Sequence, residues 1–194
     1  MPAALRGDVD RSHSNAQTAQ HALSQFLASV ELKAFRIAQT ALRHEDDALD
    51  AVQDAMLQLA RAYADRPAAE WKPLFYRILE NRIRDVQRRR SVRNRVMAWL
   101  PFHQESDEAD DPLATVQSPE LPVPQRIELD ETMAALQSAL NALPQRQQQV
   151  FLLRALEGLD VAQTARAMGC SQGSVKTHYF RALRALRAQL GDPT

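Results

Sequence analysis

The stretch Asp160–Leu190, DVAQTARAMGCSQGSVKTHYFRALRALRAQL, decides how this chain folds. It predicts two helices joined by a tight turn. Asp160, directly after Gly158-Leu159, is placed to cap the free N–H groups at the start of the first. Gly169, after Met168, supplies the left-handed geometry that ends it, which a residue with a Cβ resists. Ser171 then caps a second, longer helix. At about 100° per residue, Val175, Tyr179, Ala182, Leu186 and Leu190 share one side, a core stripe. Ser174, Thr177, Arg181 and Arg184 fall opposite, flanked by Lys176 and Phe180. Between Cys170 and Arg187 stand four Lys/Arg and no acid. A solvated helix face usually mixes signs to gain i,i+4 pairs. Hydroxyls and guanidiniums without carboxylates suit phosphates and base edges. The pattern predicts a helix-turn-helix whose second helix enters a major groove. An amphipathic bundle helix with an arginine-rich surface is the plainer alternative.

Working outward, 194 residues suit one ordinary domain or two small ones. Glycine is scarce, Ala, Leu, Gln and Arg are abundant, and no β-branched alternating run stands out, so an all-α protein is expected. The net charge of zero conceals a segregation that matters more than the average. Lys72–Arg95 carries nine basic residues and two acids, net +7, whereas Gln104–Glu131 carries nine acids and one Arg, net −8. Glu45–Asp54 holds five acids and no base. A single cysteine, Cys170, excludes an internal disulfide framework and reads as a small buried residue. His13, His21, His44, His103 and His178 lack ligand spacing, so neither metal nor other cofactor is expected. No run of about 18 apolar residues and no signal-peptide pattern occurs, which predicts a cytoplasmic protein without membrane insertion.

Along the chain, residues 1–14 read as a disordered tail. A helix follows with Leu23, Phe26, Leu27, Val30, Ile37 and Ala41 at helix spacing. After a break at His44-Glu45-Asp46, a second helix runs from about Asp47 to Tyr63, with Leu49, Val52, Met56, Leu59 and Tyr63 on one side. A third spans about Ala69–Val96, with Pro73 in its first turn, where a missing N–H costs little. Residues 97–125 read as an acidic, proline-containing flexible linker. Helices resume at about 126–142 and 144–156, and the helix-turn-helix follows. Two small helical domains are therefore expected, about 15–96 and 126–190.

Three surfaces carry functional candidates. On the second helix Asp47, Asp50 and Asp54, with Gln53 at the edge, form an acidic face suited to docking a basic protein surface. Catalysis is not expected there, since exposed carboxylates keep ordinary pKa values. On the third helix Arg77, Asn81, Arg84 and Arg88 line up opposite the apolar Leu74, Phe75, Ile78, Leu79, Ile83 and Val86. An Asn among arginines reads a base edge while the arginines hold phosphates. Arg88-Arg89-Arg90, with Arg93 and Arg95, adds polyanion-binding density. Tyr63 and Trp71 flank the preceding loop and are candidates for stacking on an unpaired base, with core packing as the competing role. The helix-turn-helix is the third surface.

Together these segments resemble the sigma-70 family of bacterial RNA polymerase sigma factors, in its extracytoplasmic-function group. The first domain resembles the family's region 2 through Asp47-Ala48-Leu49-Asp50-Ala51-Val52-Gln53-Asp54 and Phe75-Tyr76-Arg77-Ile78-Leu79-Glu80-Asn81-Arg82-Ile83-Arg84-Asp85. The second resembles region 4 through Leu143-Pro144, Val150-Phe151-Leu152-Leu153 and Gly173-Ser174-Val175-Lys176-Thr177-His178-Tyr179-Phe180-Arg181-Ala182. The resemblance implies a non-enzymatic factor that binds core polymerase and directs promoter-specific initiation. It implies that Asp47, Asp50, Gln53 and Asp54 dock on the β′ clamp helices, and that the β flap is a further contact. It assigns Tyr63, Trp71, Arg77, Asn81, Arg84 and Arg88 to the −10 element. Ser174, Lys176, Thr177, Phe180, Arg181 and Arg184 fall to the −35 element. An anti-sigma factor is an implied partner. Leu74 stands where the family often has Trp, Glu80 where a basic or small residue is common, and Arg84 where an apolar one is. A stand-alone helix-turn-helix regulator with a helical partner-binding domain is the alternative. It explains residues 160–190 but leaves the acidic and Asn-bearing helices without a role.

Overall fold

The helix that follows the first break begins at a histidine cap: His44 Nδ1 accepts from the Asp47 N–H at 3.3 Å. Three acids, Glu45, Asp46 and Asp47, then occupy the first turn, where negative charge meets the positive end of the helix dipole. In the computed structural model, residues 6–97 and 123–191 are described, and all their regular elements are helical. These are α1 Arg6–Leu42, α2 Glu45–Ala62, α3 Ala68–Met97, α4 Val123–Ala142, α5 Gln145–Phe151, α6 Val161–Met168 and α7 Gln172–Leu190. A π-helical turn, Leu152–Leu156, continues α5. The all-α expectation holds.

Helices α1, α2 and α3 pack on one another around Val30, Ala34, Ile37 and Ala38 of α1 and Phe75, Tyr76, Leu79 and Ile83 of α3. From α2 the buried set is Ala48, Ala51, Val52, Ala55 and Leu59. This corrects the expected stripe, because Leu49 is 42% exposed. Alanines at helical spacing let α2 approach its neighbours closely, and that close contact, rather than the largest side chains, sets which face turns inward. Two boundaries also differ. Helix α1 starts at Arg6, so most of the expected tail is helical. Once a packed helix exists, each further residue adds a hydrogen bond without a new nucleation cost. Pro73 lies in the second turn of α3 rather than the first; the carbonyl that loses its partner belongs to the exposed Ala69, which water can serve. The acidic segment expected as a linker falls outside the described residues except at its two ends, and Val123–Gln125 already belong to α4.

Helices α4–α7 form the second group, around Leu140, Leu143, Val150, Leu153, Leu159, Val175, Ala182 and Leu186. The helix-turn-helix is built as its end signals require. Asp160 accepts from the Gln163 N–H at 2.7 Å while the Gln163 side chain accepts from the Asp160 N–H at 3.0 Å, a reciprocal cap. Gly169 ends α6 at φ 61°, ψ 42°, and Ser171 Oγ caps α7 by accepting from Ser174 N–H at 3.1 Å. Leu190, expected in the core stripe, is 43% exposed. A Cβ built on Gly169 would meet no atom within 4 Å. Gly169→Ala is therefore expected to cost only the left-handed backbone penalty, about 1–2 kcal/mol, readable in urea unfolding. A change within about 0.3 kcal/mol of wild type would contradict it.

The two groups touch: α3 lies along α6, and α1 meets α4 and α5.

Candidate nucleic-acid interface

Position along α3 decides which basic side chains reach solvent. Tyr76, Leu79, Glu80 and Ile83 are buried, whereas Arg77, Asn81, Arg84 and Arg88 are exposed at i, i+4, i+7 and i+11. They form one continuous line, as the sequence predicted. Arg84 Nη1 donates to Asn81 Oδ1 at 3.3 Å, which holds the amide in place and leaves its NH₂ free to donate. Arg88 is loosely paired with Asp85 at 3.7 Å, and both are solvated, so the pair contributes little. Arg90 departs from the expected polyanion-binding run. Its guanidinium turns inward, pairing with Asp47 at 2.5 Å and donating to the Leu42 carbonyl at 2.7 Å. That carbonyl ends α1, so Arg90 serves a helix C-terminus that would otherwise be unpaired.

The two aromatic candidates separate. Tyr63 is half-buried at the end of α2, its N–H bonded to the Leu59 carbonyl at 2.9 Å. Trp71 is only 4% exposed and its ring lies 5.9 Å from that of Phe26. It belongs to the core, and stacking a base on it would require unpacking that contact, so the expectation for Trp71 is corrected. Phe26, Trp71, Phe75 and Tyr76 form an aromatic cluster that no local periodicity could distinguish from a stacking platform.

On α7, Lys176, Thr177, Phe180, Arg181 and Arg184 are exposed on one side, and Ser174 is half-buried. The Ser174 hydroxyl lies 2.9 Å from Ser171 Oγ, so it is committed partly to the cap. Thr177 donates its hydroxyl to the Gly173 carbonyl at 3.0 Å, leaving its oxygen to accept from outside. Phe180 is 67% exposed, the largest exposure of any large apolar residue described, as suits an apolar contact to a partner. Behind this face Phe151 stacks on Tyr179 at 6.3 Å and the Arg154 guanidinium sits 5.5 Å over the same ring, fixing the helix from its inner side.

The acidic face of α2 presents Asp50, Gln53 and Asp54 to solvent, Asp54 with Arg82 at 3.7 Å. Asp47 is half-buried and neutralised by Arg90, so it contributes less field than its sequence position suggests. Sequence reasoning missed that Leu49 and Leu57, 42% and 50% exposed, flank these acids. The signal was present in the alanine spacing 48, 51, 55, which already claims the inner face.

Residues 133–186, which include all the recognition-helix positions named above, match the model of the family "Sigma-70, region 4". The chain is 30% identical over 176 residues to the sigma factor SigM of Mycobacterium tuberculosis strain Erdman, covering 89% of this chain and 79% of that protein. The chain belongs to the extracytoplasmic-function RNA polymerase sigma factors. It is also 31% identical to the sigma-E factor of Streptomyces antibioticus over 74% of its length and 71% of that protein. Among solved structures it is similar to the sigma factor RpoE of Bartonella quintana, crystallised with the anti-sigma factor NepR. That likeness has a TM-score of 0.68 at 20% identity, over 88% of this chain and 98% of that one. The sigma factor thus functions in promoter-directed initiation by RNA polymerase. The stand-alone regulator is not favoured, since likeness to sigma factors extends over most of the chain. Sigma factors are initiation factors rather than enzymes. Among the described residues no helix is long and apolar enough to cross a membrane.

Proposed function

We propose that this sigma factor works as a two-point clamp on promoter DNA, with 15–96 and 126–190 as its two working domains. Arg77, Asn81, Arg84 and Arg88 hold the −10 element, with Tyr63 at the start of the loop between α2 and α3. Extruding a base costs a few kcal/mol, and contacts to the open strand offset it. Ser174, Lys176, Thr177, Phe180, Arg181 and Arg184 read the −35 element in the major groove. The exposed line on α3 carries this reading. It is an arginine–asparagine row whose one acid, Asp85, is paired with Arg88, in the same chain as a second basic helix. Asp50, Gln53 and Asp54, framed by Leu49 and Leu57, dock on the β′ clamp helices, and the second domain meets the β flap. An anti-sigma factor that covers both domains is a further partner, in keeping with the resemblance to its group.

The test is reconstitution with core polymerase on a randomised promoter library. Transcripts whose promoters share two elements are the expected outcome. Failure to bind core, combined with tight sequence-specific binding to duplex DNA alone, would overturn the proposal. Within it, the double reversal Asp50→Lys with Asp54→Lys is expected to weaken assembly with core about tenfold or more, chiefly through the association rate. Both side chains are exposed, so the thermal midpoint should stay within a few degrees of wild type. Undiminished assembly at low salt would remove these acids from the interface.

A further inference from the structure

Where α3 lies against the second helix group, the contact carries several polar side chains. Lys72 Nζ pairs with Glu157 Oε1 at 2.7 Å and donates to the Glu157 carbonyl at 2.9 Å. One turn on, the buried Tyr76 hydroxyl faces the Glu157 carboxylate. One turn further Glu80, 1% exposed, is under the field of Arg146 from α5. Beyond it, Gln145 donates to the Gln87 side chain. Both Glu80 oxygens are buried without a protein hydrogen-bond partner, and the Tyr76 hydroxyl has only the Glu157 carboxylate to meet it. Buried polar atoms left unpaired are costly, and a core keeps few of them. A surface that is buried part of the time and wetted the rest of the time keeps them.

The distance between the two reading faces points the same way. Elements at −10 and −35 are about 25 base pairs apart, about 85 Å along straight duplex. The longest helix, the 37-residue α1, is only about 55 Å long. With α3 seated on α6, the exposed faces of α3 and α7 cannot both reach their elements. That consequence rests on the proposed two-element reading; the closure itself does not.

We propose that the seam is a proton-sensitive latch, in which Lys72, Tyr76 and Glu80 of α3 close on Arg146 and Glu157, and a proton on Glu80 favours the closed, non-reading form. Burial pushes Glu80 up from an ordinary carboxylate value to about 7, against the opposing pull of Arg84 from its own helix and Arg146 from α5. The cation carried by α6, Arg166, is solvent-exposed. On the other side of the joint Glu157 meets Lys72 and Tyr76, and burial together with that carboxylate holds the Tyr76 phenol protonated throughout. The sign follows from Glu80 binding its proton more tightly when closed. Closure is fully supported below about pH 4.5, weakens as the pH climbs to about 7, and is level above. Across that window the closing constant falls on the order of a hundredfold.

Small-angle scattering of the full chain at pH 5 and pH 7.5, without DNA or polymerase, tests the latch. The wild-type radius of gyration is expected to rise between the two. Glu80→Gln, which carries the neutral form at every pH, is expected to stay compact at both. Lys72→Met, which strands Glu157, is expected to be expanded at both. Circular dichroism checks that each variant is folded; should either variant fail, the wild-type rise alone decides. Equal wild-type radii at the two pH values, or a Glu80→Gln chain that follows wild type, would overturn the latch. A Glu80→Gln chain that stays compact yet transcribes as well as wild type at pH 7.5 would overturn its bearing on promoter reading.

Discussion

Phe75→Ala is expected to destabilise the protein by about 3–5 kcal/mol, the cost of a large aromatic deletion from a core that only partly collapses. Phe75 is fully buried and sits among three rings. It meets Tyr76 edge-on at 5.1 Å and Phe26 edge-on at 6.2 Å, and Phe26 in turn meets Trp71 at 5.9 Å. Its removal forfeits burial and ring contacts together. Against a typical total of about 5–15 kcal/mol, that is enough to populate unfolded chain at physiological temperature. Phe75→Leu keeps more of the volume and is expected to cost clearly less. Urea titrations of both variants check this. A Phe75→Ala midpoint close to wild type would mean that the α1–α3 core is not organised around this cluster.

Lys176→Ala with Arg181→Ala is expected to lower transcription about 10²–10³-fold on promoters that depend on the upstream element. Each good base contact discriminates by about 1–3 kcal/mol, and the two side chains lie on the same exposed face of α7. Stability should change by less than about 0.5 kcal/mol, because neither side chain is buried. Assembly with core should persist, since the face proposed to dock it lies on α2. A phosphate contact would reveal itself differently, by weakening all sequences alike and lowering the salt slope by about one per contact. Running the variant on promoters with the upstream element intact and scrambled separates the two. Equal loss on both would take these residues out of sequence reading and leave them as phosphate anchors.

Helix ends were legible because their causes lie within a few residues. Asp160, Gln163, Gly169 and Ser171 each satisfy or terminate a backbone that is their own neighbour, and the observed caps follow the order in which the residues occur. The exposed line on α3 was legible for the same reason, since spacing alone places Arg77, Asn81, Arg84 and Arg88 on one side. Side chains whose fate depends on a distant helix were not legible. Trp71 reads as a stacking platform until Phe26 is seen against it. Leu49 reads as core until the alanines of α2 are seen to set the contact. Arg90 reads as a DNA anchor until the end of α1 supplies a carbonyl. Glu80 is the extreme case. In sequence it is an acid standing among arginines; in the fold it is buried against a helix group more than 60 residues away.

Residue order alone was thus enough for helix type, for the helix-turn-helix, for the two basic faces and the acidic one, and for likeness to sigma factors. These follow from backbone hydrogen bonding and a 3.6-residue period, which act over one or two turns. Which members of those faces remain free, and which are spent holding one helix against another, was settled only when the helices met. Burial is a property of both partners in a contact, and the second partner lies far along the chain.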